Sequence, residues 1–188
     1  IASRMKMLTR YPVDPMRNID DEIDGVEKRH NISYAELQRR AIFEALQKGL
    51  LILTGGPGTG KTTTLNGIIE ILRRNGQTVL LAAPTGRAAQ RMSELTGCEA
   101  KTLHRLLEVQ WTTEDIPEFK KNERNMLNCD VLIVDELSMV DSILFENVLR
   151  ALPMGARLIL VGDSDQLPSV GAGNVLSDLI SSGVLPYV

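Results

Sequence analysis

Leu50-Leu51-Ile52-Leu53-Thr54-Gly55-Gly56-Pro57-Gly58-Thr59-Gly60-Lys61-Thr62 is the stretch on which the fold turns. Its first four residues form a short, wholly apolar run, the mark of a strand buried on both faces. Gly55 to Thr62 then fits G-x-x-x-x-G-K-[ST], placed between that strand and a helical pattern that starts near Lys61. The chemistry of such a loop is direct. Glycines let backbone N–H groups curl around an anion with no side chain in the way. The helix N-terminus adds partial positive charge, Lys61 reaches terminal phosphates as a mobile cation, and Thr62 offers a hydroxyl to Mg²⁺. Gly56, Pro57, Gly58, Thr59, Gly60, Lys61, Thr62 and Thr63 are therefore the candidate nucleotide cradle. A ligand-free strand-to-helix turn is the bland alternative, and the complete match in its context weighs against it.

Outward from the loop, strands and helices alternate. A helix is expected from Lys61 to Asn75, with Leu65, Ile68, Ile69 and Leu72 inward and Gly76 as its stop. A strand follows at Thr78–Ala83, a turn at Pro84-Thr85-Gly86, and a helix from Arg87 to Leu95. Lys101–Leu107 reads as a short helix. Val109-Gln110-Trp111 and Ile116–Phe119 fit a hairpin around Thr112–Asp115. Strands at Val131–Val134 and Arg157–Val161 and helices at Ser142–Leu152 and Asn174–Ser181 complete the pattern. Upstream, Ser33 with Glu36 suggests a capping box opening a helix whose apolar face is Leu37, Ala41, Ala45, Ile42 and Leu46. Residues 1–18, broken by Pro12 and Pro15, read as a loop or arm, and the acidic Asp20–Glu27 as a surface segment or linker. The pattern predicts an α/β fold, a parallel sheet with helices on both faces and a small β-hairpin insertion at about 108–121. Residues 1–32 would be a leader and 33–188 the domain.

Composition narrows the function. The 188 residues are 43% hydrophobic and 24% charged, so a real core is expected, and with 4% aromatics it must be aliphatic. Two cysteines, Cys98 and Cys129, and two histidines, His30 and His104, are too few for a disulfide framework or a thiolate or histidine metal centre. They fit a reducing, cytoplasmic setting. No apolar run approaches a membrane span, and the start lacks a signal-peptide core. A net charge of −3 excludes a globally basic nucleic-acid coat but leaves room for a local basic groove.

A phosphate loop needs a carboxylate near its metal. Asp135 ends the strand Val131–Val134, which sets it at the carboxyl edge of the sheet. There it can hold Mg²⁺. Glu136 follows at once and can orient, or take a proton from, an attacking water. On its own, such a pair is more often a strand end meeting solvent.

Three further segments sharpen the reading. Ala83-Pro84-Thr85-Gly86-Arg87-Ala88-Ala89, Val134-Asp135-Glu136-Leu137-Ser138-Met139-Val140-Asp141, and Leu160-Val161-Gly162-Asp163-Ser164-Asp165-Gln166-Leu167-Pro168-Ser169-Val170-Gly171-Ala172-Gly173 occur in that order. They resemble motifs Ia, II and III of superfamily 1 helicases, and most of all the RecD-like branch, the exodeoxyribonuclease V alpha-subunit group, over about Ser33 to Val188. The resemblance implies a RecA-like P-loop motor domain that uses ATP and Mg²⁺ and moves 5′ to 3′ along single-stranded DNA. It implies that Gln38 reads adenine, that Lys61 and Thr62 serve the phosphates, and that Asp135 and Glu136 are metal ligand and catalytic base. By the same resemblance Gln166 senses the γ-phosphate. Thr85, Gly86 and Arg87, and Thr102 and His104 in Lys-Thr-Leu-His-Arg-Leu-Leu, would touch the DNA strand, and Glu108–Lys121 would be a strand-separating pin.

Each assignment has a plain rival: Gln38 as a solvated helix residue, His104 as a capping or packing side chain, Arg87 as a surface charge, Trp111 as a lid on the core rather than a base-stacking ring. Motifs IV to VI are not found. The expected partners are single-stranded DNA, a second RecA-like domain of a longer chain and other subunits of a nuclease–helicase, and the piece alone is expected to hydrolyse ATP poorly. The competing functions are a P-loop ATPase acting on a protein partner, a non-catalytic nucleotide-binding scaffold and a small-molecule kinase.

Overall fold

The computed structural model describes residues 1–10, 13, 16–56, 58–163, 173–183 and 185–188. Five parallel strands form one sheet: β1 (Leu50–Thr54), β2 (Val79–Ala83), β3 (Ala100–Thr102), β6 (Val131–Val134) and β7 (Arg157–Gly162), in the order β1-β7-β6-β2-β3. A two-stranded antiparallel hairpin, β4 (Val109–Trp111) and β5 (Pro117–Phe119), stands apart from it.

The all-apolar strands serve two faces. Leu50, Ile52, Leu132, Val134, Leu158 and Leu160 point into one core cluster. Leu51, Leu53, Val131, Ile133, Ile159 and Val161 point into the other. Alternation at period two with both faces covered requires apolar residues at every position, which is the run the sequence shows. Helices α2 (Ile19–His30), α3 (Glu36–Gln47) and α4 (Lys61–Arg74) supply the second cluster, together with Met92 of α5 (Gly86–Thr96). The first is covered by α1 (Ala2–Arg10), α6 (Leu103–Leu106), α7 (Ser142–Ala151) and α8 (Val175–Ser181). In α4 the inward residues are Leu65, Ile68, Ile69 and Leu72, all under 5% exposed. Each contributes about 2 kcal/mol of apolar burial.

The N-terminal segment differs from the expected loop and linker. Helix α1 is docked on α7, with Met5 only 4% exposed. Arg4 of α1 donates to the Leu149 carbonyl (3.3 Å) and to Glu123 (2.6 Å). The acidic stretch is the solvent side of α2, whose Ile19, Ile23 and Val26 are buried at helical spacing. Its Asp20, Asp21 and Glu22 sit in the first turn and its Lys28, Arg29 and His30 in the last, matching the helix dipole. Arg39 of α3 binds Asp24 (2.6 Å) and Glu27 (3.1 Å) and so clamps the two helices together. A local composition rich in carboxylates hid three well-spaced apolar residues.

Smaller differences follow from caps. Helix α3 begins at Glu36 with Ala35 as its N-cap, not Ser33, and the returning side chain is Gln38, whose Oε1 accepts from Ala35 N–H (2.9 Å). That register turns Leu37 outward, 66% exposed, while Ala41, Ile42, Ala45 and Leu46 face the core. The expected helix Lys101–Leu107 is split: Ala100–Thr102 pairs with β2, and the Thr102 hydroxyl then caps α6 by accepting from Arg105 N–H (3.2 Å). The hairpin is as expected, with Val109 opposite Phe119 and Trp111 opposite Pro117. The segment 186–188 adds a further partner to β1: Ile52 N–H donates to Pro186 O (3.0 Å) and Thr54 N–H to Val188 O (2.8 Å). Among the described residues no helix is long and apolar enough to cross a membrane.

Candidate nucleotide site and its neighbouring strand ends

All parallel strands deliver their carboxyl ends to one edge of the sheet, where α/β proteins hold ligands. From β1 comes the phosphate loop. Gly60 closes it as the N-cap of α4, with φ +82°, and Gly58 has φ +77°. Both are left-handed conformations that an L side chain enters only at a cost. A Cβ on Gly60 would lie 2.2 Å from Gln38 Nε2. Gln38 Nε2 donates to the Gly60 carbonyl (3.3 Å) while its Oε1 caps α3, so this side chain ties α3 to the loop. Lys61 donates to the carbonyls of Gly55 and Gly56. Thr59 Oγ1 donates to the Gly56 carbonyl (2.9 Å), tightening the turn.

From β6 come Asp135 and Glu136. Glu136 sits at φ +54°, an uncommon conformation for a side chain of its size, and opens a 3₁₀ turn at Leu137–Met139. Its N–H donates to Asp135 Oδ1 (2.8 Å). Burial raises the Asp135 carboxyl above its ordinary range, opposed by the Glu136 N–H, Lys61 and Arg91. Burial also raises Glu136, helped by the Asp135 charge beside it and offset by Arg91 and Lys61. Two crowded carboxylates at a cavity wall call for a cation.

Gly58, Lys61, Thr62, Asp135 and Glu136 line one cavity of about 380 Å³. That lies within the range of small-molecule sites. Its hydroxyl and carboxylate oxygens, those of Thr62 and Asp135 among them, are donors of the kind that could hold Mg²⁺. Gly56, Thr59 and Gly60 line the same cavity. Gln38 does not, but it touches the loop through Gly60. Thr63, expected in the cradle, instead lines a separate groove with Tyr34 and Glu70 on the outer side of α4. Pro57 and Gln166 lie outside the described residues. Sequence reading missed Arg91, Met92 and Leu95 of α5, which also wall the cavity. No local signal marks them, because α5 is brought to the cavity only by the fold.

The expected strand-contacting residues fall together. β2 and β3 are neighbours, with Ala83 paired to Thr102. Thr85, Gly86 and Arg87 therefore lie beside Thr102 and His104 at one corner of the same edge. Arg87 and His104 are exposed. The Thr85 hydroxyl accepts from Ala88 N–H (3.2 Å) and Thr102 caps α6, so both threonines have structural roles as N-caps. The hairpin leaves Trp111 65% and Ile116 55% exposed. Trp111 is therefore not a lid on the core.

Fold and site together define a P-loop nucleoside-triphosphatase domain. Residues 38–172 match the AAA domain family. The chain is 40% identical over 174 residues to the ATP-dependent RecD2 DNA helicase of Deinococcus radiodurans, covering 92% of this chain and 23% of the relative. It is 43% identical over 168 residues to the RecBCD enzyme subunit RecD of Mycolicibacterium smegmatis, covering 77% and 30%. Among solved structures it resembles a Pif1 helicase from a study of DNA unwinding at forked double-stranded DNA, at TM-score 0.57 and 27% identity over 80% of this chain and 38% of that one. The chain belongs to the AAA domain family, and its curated relatives include RecD-like DNA helicases. It spans less than a third of the length of the two curated relatives.

Proposed function

We propose that this chain is the first RecA-like motor domain of an ATP-dependent 5′–3′ DNA helicase or translocase. The observation that carries it is spatial: Lys61, Thr62, Asp135 and Glu136 share one cavity, and the Thr85–Arg87 and Thr102–His104 segments lie at the next strand ends along the same edge. The names of the relatives, a RecD2 DNA helicase and a RecBCD subunit, support the same reading.

In this reading the loop N–H groups and Lys61 hold the phosphates, and Gln38 recognises the base beside Gly60. Thr62 and Asp135 would hold Mg²⁺, which when bound would supply screening of the phosphate charge. Glu136 takes a proton from water as its oxygen attacks the γ-phosphorus, and the bond to the ADP oxygen breaks. Gln166 reports the loss of the γ-phosphate. A second RecA-like domain closes the cleft and supplies arginines worth ~10³–10⁵ in rate. Closure against that domain moves the strand-binding corner and steps the protein along single-stranded DNA through salt-sensitive backbone contacts. The exposed hairpin serves as the pin that splits the duplex. Partner subunits of a nuclease–helicase and a cytoplasmic site of action belong to the same proposal.

The test is ATP hydrolysis by the full-length protein with and without single-stranded DNA, beside Lys61→Ala. Strong stimulation that the substitution abolishes is the expected result. Robust hydrolysis indifferent to DNA would overturn the helicase reading in favour of an ATPase acting on a protein partner.

A further inference from the structure

Helix α5 presents a stripe to the nucleotide cavity: Ala88, Arg91, Met92 and Leu95 at positions i, i+3, i+4 and i+7 all line it. Arg91 is the only charged member of that stripe. The helix is held rigidly beneath it, since Ala89 and Met92 are 5% and 2% exposed and Thr85 caps its first turn. Four other arginines of the domain are spent on carboxylates: Arg4 on Glu123, Arg29 on Glu70, Arg39 on Asp24 and Arg150 on Glu123, all at 2.6–2.8 Å. Arg91 has no hydrogen bond or ion pair among the described residues. Arg91 is exposed and lines the cavity together with Asp135 and Glu136, and with Lys61 it favours the charged form of both carboxylates.

We propose that Arg91 is a second phosphate-binding cation of this site, and that it reads the terminal phosphate of the nucleoside triphosphate. Lys61 reaches the phosphates from the start of α4, and Arg91 reaches them from α5, on the side of the acidic pair. Glu136 has to face the phosphorus that water attacks, so a cation on α5 that shares its cavity and acts on it is assigned to the γ-phosphate. A guanidinium suits this task because its planar fork donates two parallel hydrogen bonds to phosphate oxygens. This inference rests on the nucleotide-site reading above and extends it to discrimination between triphosphate and diphosphate.

The experiment measures binding of a fluorescent non-hydrolysable ATP analogue and of fluorescent ADP, each with Mg²⁺, to the 188-residue chain and to its Arg91→Gln, Arg91→Lys and Lys61→Ala variants. Circular dichroism melts accompany each, and an exposed Arg91 leaves the fold intact. Arg91→Gln is expected to weaken the triphosphate analogue about tenfold or more and ADP by less than about twofold, with Arg91→Lys in between. Equal loss for both nucleotides, or no loss for either, would overturn the proposal. Failure of the nucleotide-site reading itself looks different: the unsubstituted chain would bind neither nucleotide, or Lys61→Ala would bind as well as it does.

Discussion

Gly60→Ala isolates the junction between Gln38 and the phosphate loop. The substitution acts in two ways. Gly60 has φ +82°, and holding an L-residue there costs about 1–2 kcal/mol. The new methyl group would also lie 2.2 Å from Gln38 Nε2, so the amide must leave. Its departure gives up the 3.3 Å hydrogen bond to Gly60 O, part-buried and worth about 0.5–1.5 kcal/mol. The sum is roughly 1.5–3.5 kcal/mol. For a domain of this size that lowers Tm by about 3–14 °C. In a Gln38→Ala background the clash is absent and only the backbone cost of about 1–2 kcal/mol should remain. A double-mutant cycle by urea denaturation, followed by circular dichroism, gives the coupling directly. Equal destabilisation in the two backgrounds, within about 0.5 kcal/mol, would refute the link between α3 and the loop. An unaltered Tm for Gly60→Ala would refute the left-handed cap itself.

Two further outcomes test the N-terminal helices. Met5→Ala should destabilise the domain by about 2–3 kcal/mol in urea, because Met5 is a core residue, whereas in a free arm it would cost under about 0.5 kcal/mol. Glu70 of α4 is bonded to Arg29 (2.8 Å) and His30 (2.6 Å) of α2. Burial pushes its carboxyl up, and the His30 and Arg29 hydrogen bonds and charges outweigh this and hold it below 4.5. A depressed carboxylate stabilises the fold above its unfolded value and loses that contribution as pH falls through the folded one. Glu70→Gln should therefore cost up to about 1 kcal/mol at pH 7, and the gap between variant and parent should narrow as pH drops below 4.5. A gap independent of pH would count against the ion pair.

Most of the sheet and the P-loop were legible because their signals are local. A four-residue apolar run, a glycine loop and a helical stripe each declare themselves within 20 residues or so. The hairpin was legible for the same reason: two β-prone triplets flank a polar turn. What escaped depended on distant partners. Met5 reads as one apolar residue in a basic segment until α7 is present to bury it. The carboxylates of α2 read as a linker until Arg39 supplies their counter-charge from α3. Arg91 drew no assignment because nothing in its neighbours says that α5 overhangs the P-loop. The threonines at 85 and 102 carry N-cap roles whatever else they touch, so their presence in the sequence is explained without DNA.

In the proposed motor, the order β1-β7-β6-β2-β3 bears on how hydrolysis would be felt at the corner assigned to the DNA strand. The phosphate loop and the Thr102–His104 segment leave opposite ends of that order, so the signal has to cross the sheet. The acidic strand is joined to β2 where Asp135 N–H donates to the Ala82 carbonyl (2.9 Å), three residues before Thr85. Helix α5 follows immediately. It carries Arg87 in its first turn and Arg91 one turn further on, and at 11 residues it is about 16 Å long. That short helix is capped by Thr85 and seated on Ala89 and Met92, so it would be expected to shift as one piece. A pull on Arg91 from a terminal phosphate would then reach Arg87 within the same element, whereas the path through the sheet would have to strain paired backbone.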